Sequence, residues 1–220
     1  LQREVDDILG HGVELKLNQR VNDVPGLLGQ GYDAVFVAVG AHQGVKLPIP
    51  GADLPQVGVA TDFLRQVSLR GTGRGDERGK ADTQPNPEDL VRGRRVLVLG
   101  GGNVAIDAAM SARRLGAAWV GMACLESRVQ MPAHTWEIRD AEEEGIQVFP
   151  ARTFKAVTQN DGAVTGVDCS QVVFRGFIDG RPDFDVLPET EEHIPADVVI
   201  FAIGQRPETE CLKGQAELVR

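Results

Sequence analysis

Cysteine is scarce and scattered. Cys124, Cys169 and Cys211 are the only three in 220 residues, and no two are spaced as a CxxC pair or as metal ligands. That excludes a disulfide framework and a close dithiol pair in this chain, and an odd count fits a reduced interior. Cys124 and Cys169 read as small buried hydrophobes. The histidines, His11, His42, His134 and His193, are as dispersed, so no zinc motif is present. Aromatic residues make up only 5%, and the single tyrosine, Tyr32, has no lysine three or four positions later. A nicotinamide-dependent dehydrogenase with its own Tyr–Lys or histidine acid–base pair therefore has no candidate here. Positive charge is also short, with 23 basic against 32 acidic residues and a net charge of -9. That argues against nucleic acid or an anionic membrane as the main partner. No apolar run approaches the ~20 residues a membrane helix needs, and no secretory signal is visible, so the expected location is cytoplasmic. The first residue, Leu1, is not a methionine, which suggests a chain cut from something longer.

What is present is ordinary for an α/β protein: 42% hydrophobic residues and 26 glycines, enough to bury a sizeable core. Two stretches echo each other. "DAVFVAVG" (33–40) and "DVVIFAIG" (197–204) each run from an Asp through six apolar residues to a Gly. Such runs predict strands buried on both faces of a parallel sheet. Residues 2–10 predict a helix stopped by Gly10, "VELKLNQRV" (13–21) a half-buried strand, and "PIPGADLP" a loop. "ATDFLRQVSL" (60–69) predicts a short helix capped by Thr61 or Asp62. Residues 70–94, polar and rich in Gly and charge, predict a mobile loop with nothing to build a core. Its arginines interleave with Asp76, Glu77 and Asp82 and have no aromatics beside them, so they read as a solvated linker, not a nucleic-acid patch.

Beyond it the order is strand (95–99), helix (103–115), strand (119–125), helix (133–144) and strand (146–150), the parallel crossover pattern. "TFKAVTQ" and "AVTGVDC" flank the turn "NDG" and open a β-rich excursion to about residue 188. Glu142, Glu143 and Glu144 close the second helix, where the macrodipole disfavours anions, and the sequence offers no reason for them.

The chemistry sits in "VLVLGGGNVAIDAA" (96–109), which fits GxGxxA with Gly100, Gly102 and Ala105. Gly100 lets the chain turn off the strand, Gly102 leaves room for a pyrophosphate, and Ala105 keeps the helix close to the sheet. The amides of Gly102, Asn103 and Val104 then face the phosphate charge, with Gly101 completing the loop. The expected buried stripe is Val104, Ala108, Ala112 and Leu115, and the polar one Asn103, Asp107, Ser111 and Arg114. Glycines also serve as plain turns, but here they lie between an apolar strand and an amphipathic helix, the context a dinucleotide site requires. Glu126, at the end of the next strand, suits the two ribose hydroxyls of NAD and would repel a 2′-phosphate. Arg128, two residues on, would welcome one. The signal is mixed, and the reading favours NAD(H) over NADP(H). At the closing strand Ala202, Ile203, Gly204 and Gln205 reach the carboxyl edge, where ligands bind in open α/β sheets.

These motifs, with "YDAVFVAVGA", "IPGADLPQV" before "ATDFLRQV", "MPAHTWEIRDAEEEG" and "DVVIFAIGQRPE", resemble the pyridine nucleotide–disulfide oxidoreductase superfamily, in the branch of the glutamate synthase small subunit and dihydropyrimidine dehydrogenase. They span nearly the whole chain in the family's order. In "CLESRVQMP" the chain departs from it: Leu125 and Glu126 stand where many relatives place an arginine pair suited to a 2′-phosphate. The resemblance implies a nicotinamide domain inserted into an FAD domain of similar fold. The expected class is thus α/β: a three-layer Rossmann-like parallel sheet with a β-meander, plus a partial second Rossmann-like domain.

The resemblance divides the chain into a partial FAD domain (1–60), a connecting helix and loop (61–94), the NAD(P)H domain (95–204) and the return towards the FAD domain (205–220). Val21, Val39 and Gly40 would face FAD. The implied reaction is hydride transfer from NAD(P)H to the flavin, with electrons passing to an iron–sulfur or amidotransferase-type partner, and no side chain acting as acid, base or nucleophile. As an excerpt the chain is expected to bind NAD(H), to hold FAD poorly and not to turn over alone. The rival reading is a non-catalytic dinucleotide sensor with 70–94 as its interaction arm.

Overall fold

The computed structural model describes residues 2–71 and 86–212. They fall into two units, residues 41–206 and a smaller one made of the flanking segments. The smaller unit contains α1 (Gln2–Gly10), α2 (Val24–Leu28) and a 3-10 turn (Glu210–Leu212). Here two expectations are corrected. Residues 13–21 and 33–40 form no strand, and Phe36 is 93% exposed. A strand exists only where a neighbour accepts its ladder of hydrogen bonds. Among the described residues of this unit no such neighbour pairs with either stretch.

The larger unit begins with β1 (Gln43–Gly44), then β2 (Val57–Val59), α3 (Ala60–Gly71) and α4 (Pro87–Val91). β3 (Arg95–Leu99), α5 (Asn103–Arg114), β4 (Trp119–Ala123), α6 (Thr135–Glu143) and β5 (Gln147–Phe149) follow as the sequence predicts, with ends trimmed by one or two residues. β6 (Arg152–Asn160), β7 (Ala163–Ile178) and β8 (Arg181–Pro195) form an antiparallel meander before β9 (Val198–Phe201) and β10 (Gln205–Arg206). Asn160 pairs with Ala163 across Asp161 and Gly162, both at positive φ (50° and 79°), the two-residue turn that matches strand twist.

The parallel sheet runs β2-β9-β3-β4-β5, so the chain's last long apolar run lies inside it, between β2 and β3. Side chains alternate across it. Val96, Val98, Val120, Met122, Val198 and Ile200 face a core shared with α3, α5 and α6. Leu97, Leu99, Ala123, Val199 and Phe201 face a second core closed by Val157, Val167, Cys169 and Ile194 of the meander. Helices, parallel sheet and meander are the three layers.

Two more expectations change. Residues 72–85 of the expected loop lie outside the described residues, but 86–94 does contribute to the core. Asn86 caps α4 by accepting from the Glu88 amide (3.1 Å), and Val91 is fully buried. α5 buries a wider stripe than expected: Ala105, Ile106 and Ala109 join Ala108 and Ala112, while Val104 and Leu115 are only partly covered. A helix pressed on a sheet and flanked by α3 and α6 buries more than one narrow row.

The three glutamates at the end of α6 each find an arginine. Glu144 meets Arg114 at 2.6 Å, Glu142 meets Arg128 at 2.6 Å and Glu143 lies 3.7 Å from Arg139. These partners offset the macrodipole.

The amino ends of β3 and β9 are clamped. Asp197 accepts from the Arg95 backbone amide (2.8 Å) and from its guanidinium (2.6 and 3.2 Å), while the Asp197 amide donates back to the Arg95 carbonyl (2.8 Å). The Arg95 hydrogen bond holds the Asp197 carboxyl below the usual carboxylate range. A lowered value means the contribution is full above the ordinary carboxylate pKa of about 4 and disappears as pH falls through the folded value. Asp197→Asn should lose about 1 kcal/mol at pH 7, a modest figure because both partners are partly exposed. Urea midpoints of the two proteins should converge as pH drops below about 4. A gap that persisted undiminished would refute this account.

Candidate functional site

β3 ends at Leu99, and the next three residues are glycines with different reasons to be there. Gly100 sits at φ +150°, and a Cβ on it would collide with the carbonyl oxygen of Ala202 on the neighbouring β9. Its amide donates to Ala123 (2.8 Å), and the Ala202 amide donates to Leu99 (2.7 Å), so three strands close on this one residue. Gly101 rests on Cys124, whose Sγ would lie 3.0 Å from an added Cβ, with Glu126 Oε2 at 3.2 Å. Gly102 differs. Its φ is -94°, which any residue adopts, and a Cβ there would meet nothing within 4 Å. The fold does not need that glycine.

Gly102 is also the N-cap of α5 and has no side chain to satisfy the first turn. Its carbonyl accepts from Ala105 (2.9 Å) and Ile106 (3.2 Å). The amides of Asn103 and Val104 belong to the opening turn, which has no carbonyl ahead of it within the helix. Positive backbone ends therefore project into open space at the carboxyl edge of the sheet. α6 starts beside them. The Ala133 amide donates to Gly101 O (3.1 Å) and the His134 amide to Asn103 Oδ1 (3.3 Å). Sequence spacing gave no hint of this contact, because it joins loops some thirty residues apart.

The remaining candidates of the larger unit follow the neighbouring strands β4 and β9. Glu126 follows β4 with its carboxylate over Gly101, and its carbonyl accepts from the Ala151 amide (2.8 Å). Arg128 turns to Glu142 of α6. Ala202, Ile203 and Gly204 follow β9, and Gly204 (φ +129°) accepts from the Val45 amide at 3.1 Å. Gln205 pairs with Gly44 in the short β1–β10 ribbon. Val21, Val39 and Gly40 belong to the smaller unit; Val21 and Val39 are 43% and 39% exposed, and Gly40 takes a positive φ of 69°.

Behind the loop, Cys124 is buried, and its Sγ lies 3.5 Å from the Glu126 carbonyl. Burial first, and the nearby Glu126 charge second, push its thiol up to about 12. Burial raises Cys169 to about 11. Both thiols therefore stay protonated at neutral pH and act as packing groups rather than nucleophiles. Among the described residues no group of His, Cys, Asp and Glu is placed to hold a metal ion, and no helix is long and apolar enough to cross a membrane.

A parallel sheet whose order reverses between β3 and β9, with a glycine loop and a helix mouth at that crevice, defines the Rossmann class. The chain belongs to the pyridine nucleotide-disulphide oxidoreductase family, whose model matches residues 1–219. It is 35% identical over 228 residues to the NADP(+)-dependent formate dehydrogenase subunit beta of Moorella thermoacetica, covering 99% of this chain and 29% of that protein. It is 32% identical over 213 residues to the glutamate synthase [NADPH] small chain of Escherichia coli (strain K12), covering 94% of this chain and 43% of that one. The chain thus spans less than half the length of either relative. Among solved structures, Mycobacterium tuberculosis FprA in complex with NADPH superposes with a TM-score of 0.62 at 22% identity, over 86% of this chain and 54% of that one. That likeness supports the fold.

Proposed function

We infer that residues 41–206 bind a nicotinamide dinucleotide and serve a flavin-dependent oxidoreductase, passing reducing equivalents to FAD and on to an iron–sulfur or amidotransferase-type partner. The observation that carries this reading is Gly102. Neither its dihedrals nor its neighbours require a glycine, so the missing side chain makes room for something the polypeptide itself does not supply. A diphosphate fits, because the space lies in front of the unpartnered first-turn amides. Gly100, Gly101, Gly102, Asn103 and Val104 would hold it, and Ala202, Ile203, Gly204 and Gln205 would border the nicotinamide half.

Glu126 would accept both hydroxyls of the adenosine ribose. Its position over Gly101, and the capture of Arg128 by Glu142, leave no free cation among these residues for a 2′-phosphate. The reading therefore favours NAD(H) over NADP(H), although both relatives named above are NADP(H) proteins by name. When bound, the nicotinamide and the flavin supply the two-electron chemistry. The chain's part is to fix the diphosphate and the ribose, and Val21, Val39 and Gly40 are the candidates to meet FAD. Similarity to a "subunit beta" and a "small chain" supports a partner polypeptide.

Calorimetric titration with NADH and NADPH tests this. NADH is expected to bind the tighter of the two. Glu126→Ala should weaken NADH about 10-fold, the loss of a charge-assisted hydrogen-bond pair, while leaving NADPH unchanged or improved. Binding of neither nucleotide to the wild-type chain would sink the reading.

A further inference from the structure

The acidic end of α6 raises a question that its helix does not answer. Glu143 and Glu144 pair with arginines of α5 and α6, but Glu142 reaches back to the loop that follows β4. There it takes Arg128 at 2.6 Å. That loop is the one that carries Glu126. It is braced by the Gln130 amide donating to the Ser127 carbonyl (2.9 Å) and by a bond between the Ser127 and Gln130 side chains. Arg128 therefore leaves the tip of a fixed turn, two residues from the carboxylate assigned to the ribose, and its direction is set by Glu142.

We propose that Glu142 is a specificity-determining residue, which discriminates against a 2′-phosphate by keeping the Arg128 guanidinium occupied. This rests on the dinucleotide site described above. A guanidinium binds a phosphate through the same planar N–H groups that bind a carboxylate, so the two anions compete for it. The incoming 2′-phosphate must displace Glu142 and then remain near its negative charge. NAD(H) carries no such group and is indifferent to the exchange. Two carboxylates thus oppose the 2′-phosphate in different ways: Glu126 by occupying the ribose position, Glu142 by withholding the one cation within two residues of it. Discrimination built this way comes from a repulsive element as much as from attraction.

The test is Glu142→Gln in the whole chain, which keeps the shape and removes the charge. Calorimetric Kd values for NADH, NADPH, AMP and adenosine 2′,5′-bisphosphate would be compared with wild type. The expected result is a gain of about 3- to 10-fold for NADPH and the bisphosphate, with NADH and AMP unchanged, and with the gain shrinking at high salt. Adding Arg128→Ala should cancel it. An equal change for all four ligands, or none, would overturn the proposal and reduce the pair to a surface tie between loop and helix. If NADH binds and only this ratio fails to move, the dinucleotide site stands and Glu142 does not. If wild type binds no nucleotide at all, both are wrong.

Discussion

Gly102→Ala should lower dinucleotide affinity by about 10- to 100-fold, equivalent to roughly 1.4–2.8 kcal/mol, while the protein melts almost where wild type does. Each half of that expectation has its own cause. In the folded chain the position has an ordinary φ of -94° and free space around it, so a methyl group strains nothing. Alanine is a somewhat poorer N-cap than glycine, but it also narrows the unfolded ensemble, and the two effects are of similar size, below about 1 kcal/mol. For the ligand the same methyl group stands between a diphosphate and the amides of Asn103 and Val104, which act only at hydrogen-bond distance. Calorimetry for binding and a thermal melt for stability read the two separately. Retained affinity in a folded Gly102→Ala protein would remove the chief support for the proposed function.

Gly100→Ala should do the reverse. Two residues away, the same substitution meets φ +150° and the Ala202 carbonyl in the buried centre of the sheet. An L-residue is strained at that angle, and β9 cannot retreat, because Ala202 is hydrogen-bonded to Leu99 and packs against the helix-side core, while Leu99 is locked in the meander-side one. A loss of about 3–5 kcal/mol follows from strain and overpacking together. In a chain of this size that lowers the melting temperature by roughly 10 °C. A midpoint within 2 °C of wild type would show that the β3–β9 contact relaxes more readily than the packing implies. Neighbouring glycines of one motif thus separate into a folding residue and a binding residue.

That separation was invisible in the sequence. The spacing in "VLVLGGGNVAIDAA" marks a strand, a turn and a helix, and the structure has them in place. It also led to the assumption that Gly100 serves a sharp turn. The stronger reason is the approach of Ala202, about a hundred residues away. The same limit explains the misjudged strands. "DAVFVAVG" and "DVVIFAIG" have nearly the same local pattern, yet only the second is a strand, because β2 and β3 flank it with parallel partners. An apolar run states a propensity, and a ladder needs neighbours. Val91 and the partners of Glu142 and Glu144 were missed for a related reason. They depend on which element lies opposite, and no periodicity carries that.

The sequence alone determined the class of the larger unit, the order of its crossover elements, the tight hairpin at Asp161 and Gly162, and the residues around the helix mouth. These follow from local steric preference and from apolar periods of two and 3.6, which are properties of neighbouring residues. Only the tertiary structure decided that β9 lies between β2 and β3, which glycine the fold can spare, and that Arg128 is held by Glu142. Those facts are contacts between residues far apart in the chain, and packing sets them once the separate elements have met.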